Sequence, residues 1–236
     1  DGLGVEELFY NGEYTPDQER LEMLDKLGDE KTILVAEYLA NDANVSHALN
    51  ENAAHDFLCF PRTNNNYHYQ YIPEIVPNEN TNEIHALSEA QNYLYLISTD
   101  QFTSKEEMIE AVANTNYDLV ILDLFFEEIP LTCADLATLK VKANGAKRLV
   151  IAYMNIGSAE NYRYYWKKGW GLRRPGWLKR KYDGYSDEYW VEFWNYQWQE
   201  IIYGNDDSYT KKVLDAGFDG VYLDNVEAYY FLYFRD

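Results

Sequence analysis

The sequence has 236 residues, which is close to the size of one α/β barrel. Its 40 acidic residues against 20 basic ones give a net charge of −20. This balance argues against a nucleic-acid partner, because such partners are bound by Lys and Arg that neutralise phosphates. No apolar run reaches the roughly 18 residues of a membrane span, so we expect no span.

Seven apolar runs are predicted to be strands. They are Leu3–Phe9, Thr32–Leu39, Asn92–Ser98, Leu119–Phe125, Arg148–Gly157, Tyr189–Phe193 and Phe218–Asp224. Most are nearly continuous rather than alternating, which is typical of strands covered on both faces.

Helices are predicted between these strands. Thr15-Pro16-Asp17-Gln18 and Ser104-Lys105-Glu106-Glu107 are capping boxes, and the second opens a helix to about Asn114. Further helices are predicted over Ala134–Ala143, before Asn144-Gly145, and over Ser208–Ala216, before Gly217. The alternation of strand and helix predicts an α/β fold with parallel strands, most readily a (β/α) barrel.

Two long segments interrupt this alternation. The polar segment Asn41–Ala90 is predicted to be a loop with at most a short helix. The segment Ser158–Glu188, rich in Tyr, Trp and Arg, follows a strand end, and we interpret it as a binding loop or lid.

Cysteine and histidine positions say little about chemistry. Cys59 and Cys133 are compatible with free thiols or with one disulfide. The four histidines share no ligand spacing, so we expect no catalytic metal and no cofactor; they are His47, His55, His68 and His85.

The strongest functional signal is a carboxylate at the end of the last predicted strand. Asp224 follows the run Val221-Tyr222-Leu223, and strand ends of a parallel barrel line the active-site mouth. A similar pattern, Gly2 to Tyr10, opens the chain and contains Glu6 and Glu7. Glycoside cleavage needs two carboxyl groups, so the pair indicates a glycosidase; the alternative for Asp224 is a helix N-cap.

The aromatic content supports a carbohydrate ligand. The chain has 23 Tyr and 6 Trp, and aromatics make up 17% of its residues. Core packing accounts for part of them, and the rest are candidates for platforms under pyranose rings. The acidity either attracts a cationic ligand or serves only solubility.

Several motifs together resemble the endo-α-1,4-polygalactosaminidase-like hydrolases of glycoside hydrolase family 114. They are Tyr117–Asp123, Ala152–Trp166, Gly217–Asp224, Gly4–Tyr10 and Val35–Tyr38. The resemblance implies a single (β/α)8 TIM-type barrel over residues 1–236 that hydrolyses galactosamine-containing polysaccharide internally. Compared with the family, the order of the motifs implies a circular permutation, and only seven of the eight expected strands are recognisable.

The resemblance also implies roles for individual residues. Asp224 would be the nucleophile and Glu6 the acid/base of a retaining enzyme, with Glu7 as the rival of Glu6 and inversion as the other outcome. Residues expected to bind substrate are Asp123, Tyr153, Glu160, Arg163, Tyr165, Trp166, Tyr222, Asn225, Glu37 and Tyr38.

The expected partner is a polysaccharide or oligosaccharide, cationic where galactosamine is de-acetylated. We expect a secreted or periplasmic protein, although the sequence begins at Asp1 with no signal peptide. Two alternatives stay open: a non-catalytic polysaccharide-binding barrel, and a glycosidase acting on a different α-linked glycan.

Overall fold

The computed structural model describes residues 1–28, 30–64, 67 and 69–234. The chain divides into two compact units. Unit 1 comprises Asp1–Leu122 and Ala137–Val150, and unit 2 comprises Asp123–Leu136 and Ile151–Asp236.

Secondary-structure elements are numbered in chain order. The strands are β1 Gly2–Tyr14, β2 Thr32–Leu39, β3 Leu58–Arg62, β4 Tyr93–Leu96, β5 Leu119–Asp123, β6 Phe125–Phe126, β7 Ile129–Pro130, β8 Leu149–Asn155, β9 Ser158–Glu160, β10 Leu178–Lys181, β11 Glu188–Val191 and β12 Gly220–Asp224. The helices are α1 Gln18–Gly28, α2 Val45–Ala53, α3 Lys105–Ala113, α4 Cys133–Leu139, α5 Tyr196–Gln199, α6 Tyr209–Ala216 and α7 Ala228–Tyr233. A π-helical turn, Glu200–Gly204, follows α5 directly.

Unit 1 contains a parallel three-stranded sheet in the order β1-β2-β3. Its apolar side chains form a buried cluster with those of α1, including Leu8, Leu21, Leu24 and Val35. Burial of such side chains stabilises each by about 1.5–3 kcal/mol. Strands β4 and β5 form a second parallel pair in this unit, with Tyr93 opposite Leu119.

Unit 2 contains parallel and antiparallel pairing. Strands β8 and β12 run parallel, in a register that places Asp224 opposite Asn155. A small antiparallel sheet has the order β10-β11-β9. Its strands carry large aromatics, and Trp190 stacks between Tyr182 and Phe231 at 4.5 Å from each ring centroid.

Several predicted elements are confirmed. Strand β2 has the predicted bounds, and strands were found at all seven predicted runs. Helix α3 begins after Ser104, whose side chain accepts a hydrogen bond from the Glu107 N–H at 3.1 Å. Helix α6 ends at Gly217, which adopts the left-handed conformation that glycine allows at φ 87°.

Other predictions were wrong in identifiable ways. The segment Asn41–Ala90 contains α2 and the buried strand β3, and Cys59 lies on β3 rather than in a loop. The segment Ser158–Glu188 contains β9 and β10, and the strand predicted over Tyr189–Phe193 is antiparallel. In both segments, tertiary pairing outweighed a polar or aromatic local composition.

Smaller corrections concern helix ends. The first capping box is shifted, because Asp17 rather than Thr15 accepts the hydrogen bond from a helix N–H, that of Arg20. Helix α4 ends at Leu139, four residues before the predicted end. Both Cys59 and Cys133 are free thiols, so the open disulfide question is answered.

The fold is α/β with parallel sheets, as predicted. Closure into an eight-stranded barrel, the single domain and the permuted order stay predictions. Among the described residues, no helix combines the length and apolarity that crossing a membrane requires.

Candidate active site

Asp224 is the last residue of β12 and the centre of the candidate site in unit 2. Its carboxylate accepts a hydrogen bond from the Tyr153 hydroxyl at 2.6 Å. Tyr153 lies on the neighbouring strand β8, opposite Tyr222. The short distance is typical of a hydroxyl that donates to an ionised carboxylate.

The chain turns sharply directly after Asp224. Asn225 has a positive φ of 57°, which asparagine tolerates better than most residues. A Cβ on Gly157 would lie 2.0 Å from the Asn225 carbonyl oxygen, so only glycine allows this approach. The turn therefore fixes Asp224 at the strand end.

Arg163 joins two buried carboxylates. Its Nη1 lies 2.7 Å from Asp123 Oδ2, and its Nε donates to Glu160 Oε2 at 2.6 Å. Side chains of all three are at most 9% exposed. The Tyr165 hydroxyl accepts a hydrogen bond from the Glu160 N–H at 3.1 Å, which fixes the same segment.

Glu188, the first residue of β11, is a fourth carboxyl group that the sequence did not identify. It lies opposite Glu160 in the antiparallel register, so both side chains leave the same face of the small sheet. Its Oε2 accepts a hydrogen bond from Ser158 Oγ at 3.1 Å. The sequence analysis missed Glu188 because this residue precedes an apolar run. In a parallel barrel, active-site residues are expected after such a run, at the carboxyl end of the strand.

An amide network connects Glu188 to the turn after Asp224. Asn155 Nδ2 and Asn225 Nδ2 both donate to Ser158 Oγ, at 2.7 and 3.2 Å. The side-chain Oδ1 of Asn155 in turn accepts a hydrogen bond from the Ser158 N–H at 2.9 Å, which fixes the orientation of that side-chain amide. Because the two amides occupy the oxygen lone pairs of Ser158, its proton points to Glu188.

The carboxyl groups of this cluster shift one another's protonation. Burial, the negative charge of Glu160 and that of Asp224 raise the pKa of Glu188 to about 8, although the Ser158 hydrogen bond lowers it. Burial also raises the pKa of Asp224, against the lowering effect of the Tyr153 hydrogen bond. Glu188 therefore holds a proton at neutral pH.

Asp123 and Arg163 form a different electrostatic pair. Burial raises the pKa of Asp123, although the Arg163 charge lowers it. Burial alone would lower the pKa of Arg163, but Asp123 and Glu160 hold it well above its usual value. Arg163 is therefore a fixed positive charge within this carboxylate cluster.

Glu6 and Glu7 belong to unit 1 and have distinct surroundings. The Glu6 carboxylate accepts a hydrogen bond from the Tyr69 hydroxyl. Glu7 has a positive φ of 55° and pairs with Arg62, whose Nη2 lies 2.6 Å from its Oε1. Arg62 therefore supplies a cationic partner for Glu7, and Tyr69 supplies a hydroxyl donor for Glu6.

Glu37 and Tyr38 lie near the end of β2 in unit 1. Glu37 is fully buried, and its carboxylate accepts hydrogen bonds from the backbone N–H groups of Phe9 and Tyr10. Asn52 Nδ2 donates to the same carboxylate at 3.0 Å. Glu37 thus ties β1 to β2 and α2, and its predicted contact with substrate stays a prediction.

The predicted aromatic platforms are mostly packed in unit 2. Tyr165 is 8% exposed and meets Trp198 edge-on. Trp166 stacks on Tyr189 with 5.4 Å between ring centroids. These contacts hold the loop together, and the predicted contacts of Tyr165 and Trp166 with substrate stay predictions.

Within the described part of the chain, no group of three His, Cys, Asp or Glu side chains is arranged to hold a metal ion. A hydrogen bond joins His47 Nδ1 to the Tyr10 hydroxyl, and another joins His55 Nδ1 to Asp25 Oδ1. His68 lies outside the described residues.

Comparison with known proteins adds the family. The family model for Glycoside-hydrolase family GH114 matches residues 50–236, which include Asp123, Glu160, Glu188 and Asp224. The chain belongs to family GH114. The predicted resemblance is thereby confirmed, and GH114 membership indicates a glycoside hydrolase with a carbohydrate substrate.

Uncharacterized proteins from three prokaryotes are similar to this GH114 chain. One from Thermotoga maritima is 40% identical over 79 residues, and one from Deinococcus radiodurans is 35% identical over 122 residues. One from Methanocaldococcus jannaschii is 34% identical over 124 residues. The matches cover 34%, 51% and 51% of this chain, and 23%, 37% and 34% of these relatives, respectively.

Proposed function

We propose that the protein hydrolyses an α-linked, galactosamine-containing polysaccharide internally, with Asp224 and Glu6 as its two essential carboxyl groups. The observation that carries this proposal is the position of Asp224. It ends a parallel strand, accepts a hydrogen bond from Tyr153 and lies in the segment that matches GH114.

In the proposed mechanism, Asp224 attacks the anomeric carbon and Glu6 protonates the leaving glycosidic oxygen. Water then hydrolyses the glycosyl-enzyme intermediate, with Glu6 acting as base. The Tyr153 hydrogen bond stabilises the ionised form of Asp224, which a nucleophile needs. Retention requires carboxyl groups about 5–5.5 Å apart, and inversion about 6.5–9.5 Å, so product stereochemistry distinguishes the two.

The substrate preference follows from charge. The net charge of −20 favours a polymer with ammonium groups over an anionic one. A de-acetylated galactosamine chain carries such groups, whereas neutral α-glucans and galactans do not. We also propose that the protein acts outside the cytoplasm, where polysaccharides of this kind are met.

Asp224→Asn tests the proposal. We expect hydrolysis of α-1,4-linked galactosamine polymer, measured as released reducing ends, to fall at least about 10³-fold. The matched control is Asp100→Asn, an exposed aspartate outside the candidate site, which should retain full activity. Full hydrolysis by Asp224→Asn would overturn the mechanism.

The second carboxyl group is tested by comparing two adjacent residues. Glu6→Gln should abolish turnover, and added azide should restore part of it if Glu6 is the acid/base. Glu7→Gln should reduce activity less, since Glu7 is paired with Arg62. If the wild type binds polysaccharide without hydrolysing it, the protein is a non-catalytic polysaccharide-binding protein. Product analysis with a panel of α-linked glycans identifies a glycosidase that acts on a different glycan.

A further inference from the structure

Unit 2 contains an aromatic cleft that none of the proposed catalytic residues explains. It has a volume of about 550 Å³ and lies between the segment 164–177 and the segment 196–207. Its lining includes Tyr165, Trp170, Trp177, Tyr196, Gln197 and Glu200. The volume lies within the roughly 300–1,000 Å³ that small-ligand sites occupy.

The aromatic rings that line the cleft range from buried to exposed. Trp177 is 2% exposed, and Trp170 meets it edge-on at 5.1 Å. Tyr196 is 71% exposed. A pyranose ring has an apolar C–H face that packs on such rings and a rim of hydroxyls, so it suits a surface that is aromatic but open to water.

Polar groups of the cleft are held in place by its walls. The Trp177 indole N–H donates to Gln197 Oε1 at 3.1 Å, which orients that amide. Glu200 begins the π-helical turn, and a Cβ on Gly204 would lie 2.5 Å from Glu200 Oε1. Glycine at this position therefore makes room for the folded-back carboxylate. Such π-helical turns are rare and are frequent at functional sites.

One residue connects the cleft to the candidate active site. Tyr165 lines the cleft, and its hydroxyl accepts a hydrogen bond from the N–H of Glu160, the partner of Arg163. A polysaccharide whose units enter the cleft is therefore held beside the segment that carries the Arg163 cluster. Longer chains gain contacts in this way that short ones do not reach.

We propose that this cleft is a second sugar-binding site, which holds pyranose units of the polysaccharide outside the catalytic site, with Tyr196 and Trp170 as stacking rings. The identity of the polysaccharide rests on the proposed function, but the cleft itself does not. Glu200 and Gln197 bind hydroxyl or amine groups at the edge of the sugar.

Binding is measured in the Asp224→Asn background, so that turnover does not interfere. The probes are hexasaccharides of α-1,4-linked galactosamine, of its N-acetylated form and of α-1,4-linked glucose, titrated by calorimetry. We expect Tyr196→Ala and Trp170→Ala each to weaken binding of at least one hexasaccharide about tenfold. Tyr196→Phe should retain binding, because it keeps the ring.

Tyr203→Ala is the matched control. Tyr203 lies on the π-helical turn that begins at Glu200 and is 61% exposed, but it does not line the cleft. Loss of its ring should therefore leave binding unchanged. In the active protein, Tyr196→Ala should raise KM for the polymer and leave kcat for a trisaccharide unchanged. Circular dichroism verifies that each variant is folded.

The outcomes separate this inference from the proposed function. If Tyr196→Ala and Trp170→Ala bind like Tyr203→Ala, or if no hexasaccharide binds at all, the cleft is not a sugar site. If the wild type hydrolyses nothing but binding depends on Tyr196, the hydrolase proposal fails and the sugar site stands. If hydrolysis depends on Asp224 but binding does not depend on Tyr196, the hydrolase proposal stands and the sugar site fails.

Discussion

Two buried acid clusters of this protein differ in how their charges are balanced. Asp118 of unit 1 comes directly before β5 and pairs with Lys142 at 2.5 Å, with both side chains fully buried. Asn80 and the Gln91 N–H also donate to Asp118. In unit 2, by contrast, Arg163 serves Asp123 and Glu160 together, while Glu188 and Asp224 accept hydrogen bonds from hydroxyl groups.

The difference shows what each cluster is suited for. Lys142 pairs directly with Asp118, and the buried Arg148 also interacts with its charge, so this carboxylate is fully compensated and holds structure. In the unit 2 cluster the carboxylates outnumber the arginine that binds them, and burial, together with the negative charges of Glu160 and Asp224, raises the pKa of Glu188 to about 8. Uncompensated charge of this kind destabilises a fold and is characteristic of functional sites.

The largest expected effect is a loss of protein stability when the Asp118–Lys142 pair is broken. Lys142→Met leaves Asp118 buried without its cation, and we expect a loss of about 3–5 kcal/mol in the free energy of unfolding, measured in urea. The exposed Lys147→Ala is the control and should cost little. Activity of the folded Lys142→Met protein should be normal; reduced activity would contradict a purely structural role.

Arg163→Lys should lower both stability and activity, unlike Lys142→Met. Lysine keeps the charge but cannot make the forked contacts to Asp123 and Glu160, so we expect stability to fall by about 1–3 kcal/mol. The specificity constant kcat/KM should fall by about 10–100-fold. If stability falls while activity is retained, the unit 2 cluster is structural like the Asp118 pair, and the comparison fails.

Glu188→Gln should have the smallest effect, visible as a change in pH dependence. The folded pKa of Glu188, about 8, is above the unfolded value near 4.5, so the folded state binds more protons between these values. Stability should therefore fall as pH rises from about 4.5 to 8. The full shift would correspond to about 5 kcal/mol, and we expect about 1–3 kcal/mol after solvent screening.

Urea unfolding at pH 5 and pH 9 measures this slope. The Gln variant should lose less stability over the interval than the wild type, because Gln does not titrate. The exposed Glu110→Gln is the control and should keep the wild-type slope. Equal slopes for wild type and Glu188→Gln would show that Glu188 is ionised at neutral pH.

Much of the candidate site could be predicted from strand ends. Asp123 and Asp224 end β5 and β12, whereas Tyr153, near the end of β8, came from the family resemblance. Arg163 and Glu160 came from the family resemblance and are in contact. Glu188 and Ser158 could not be found in this way, because their roles depend on an antiparallel sheet whose register the sequence does not show.

The sequence by itself determined the local elements that have continuous apolar runs or clear caps, and it indicated the family. Apolar runs long enough to be strands, and caps such as Ser104 and Gly217, act over a few residues, so they can be identified without knowledge of the rest of the chain. The tertiary structure alone decided which carboxylate meets which partner. Hydrogen-bond register and burial bring together residues as distant as Tyr153 and Asp224, and proximity in a low-dielectric interior sets their protonation.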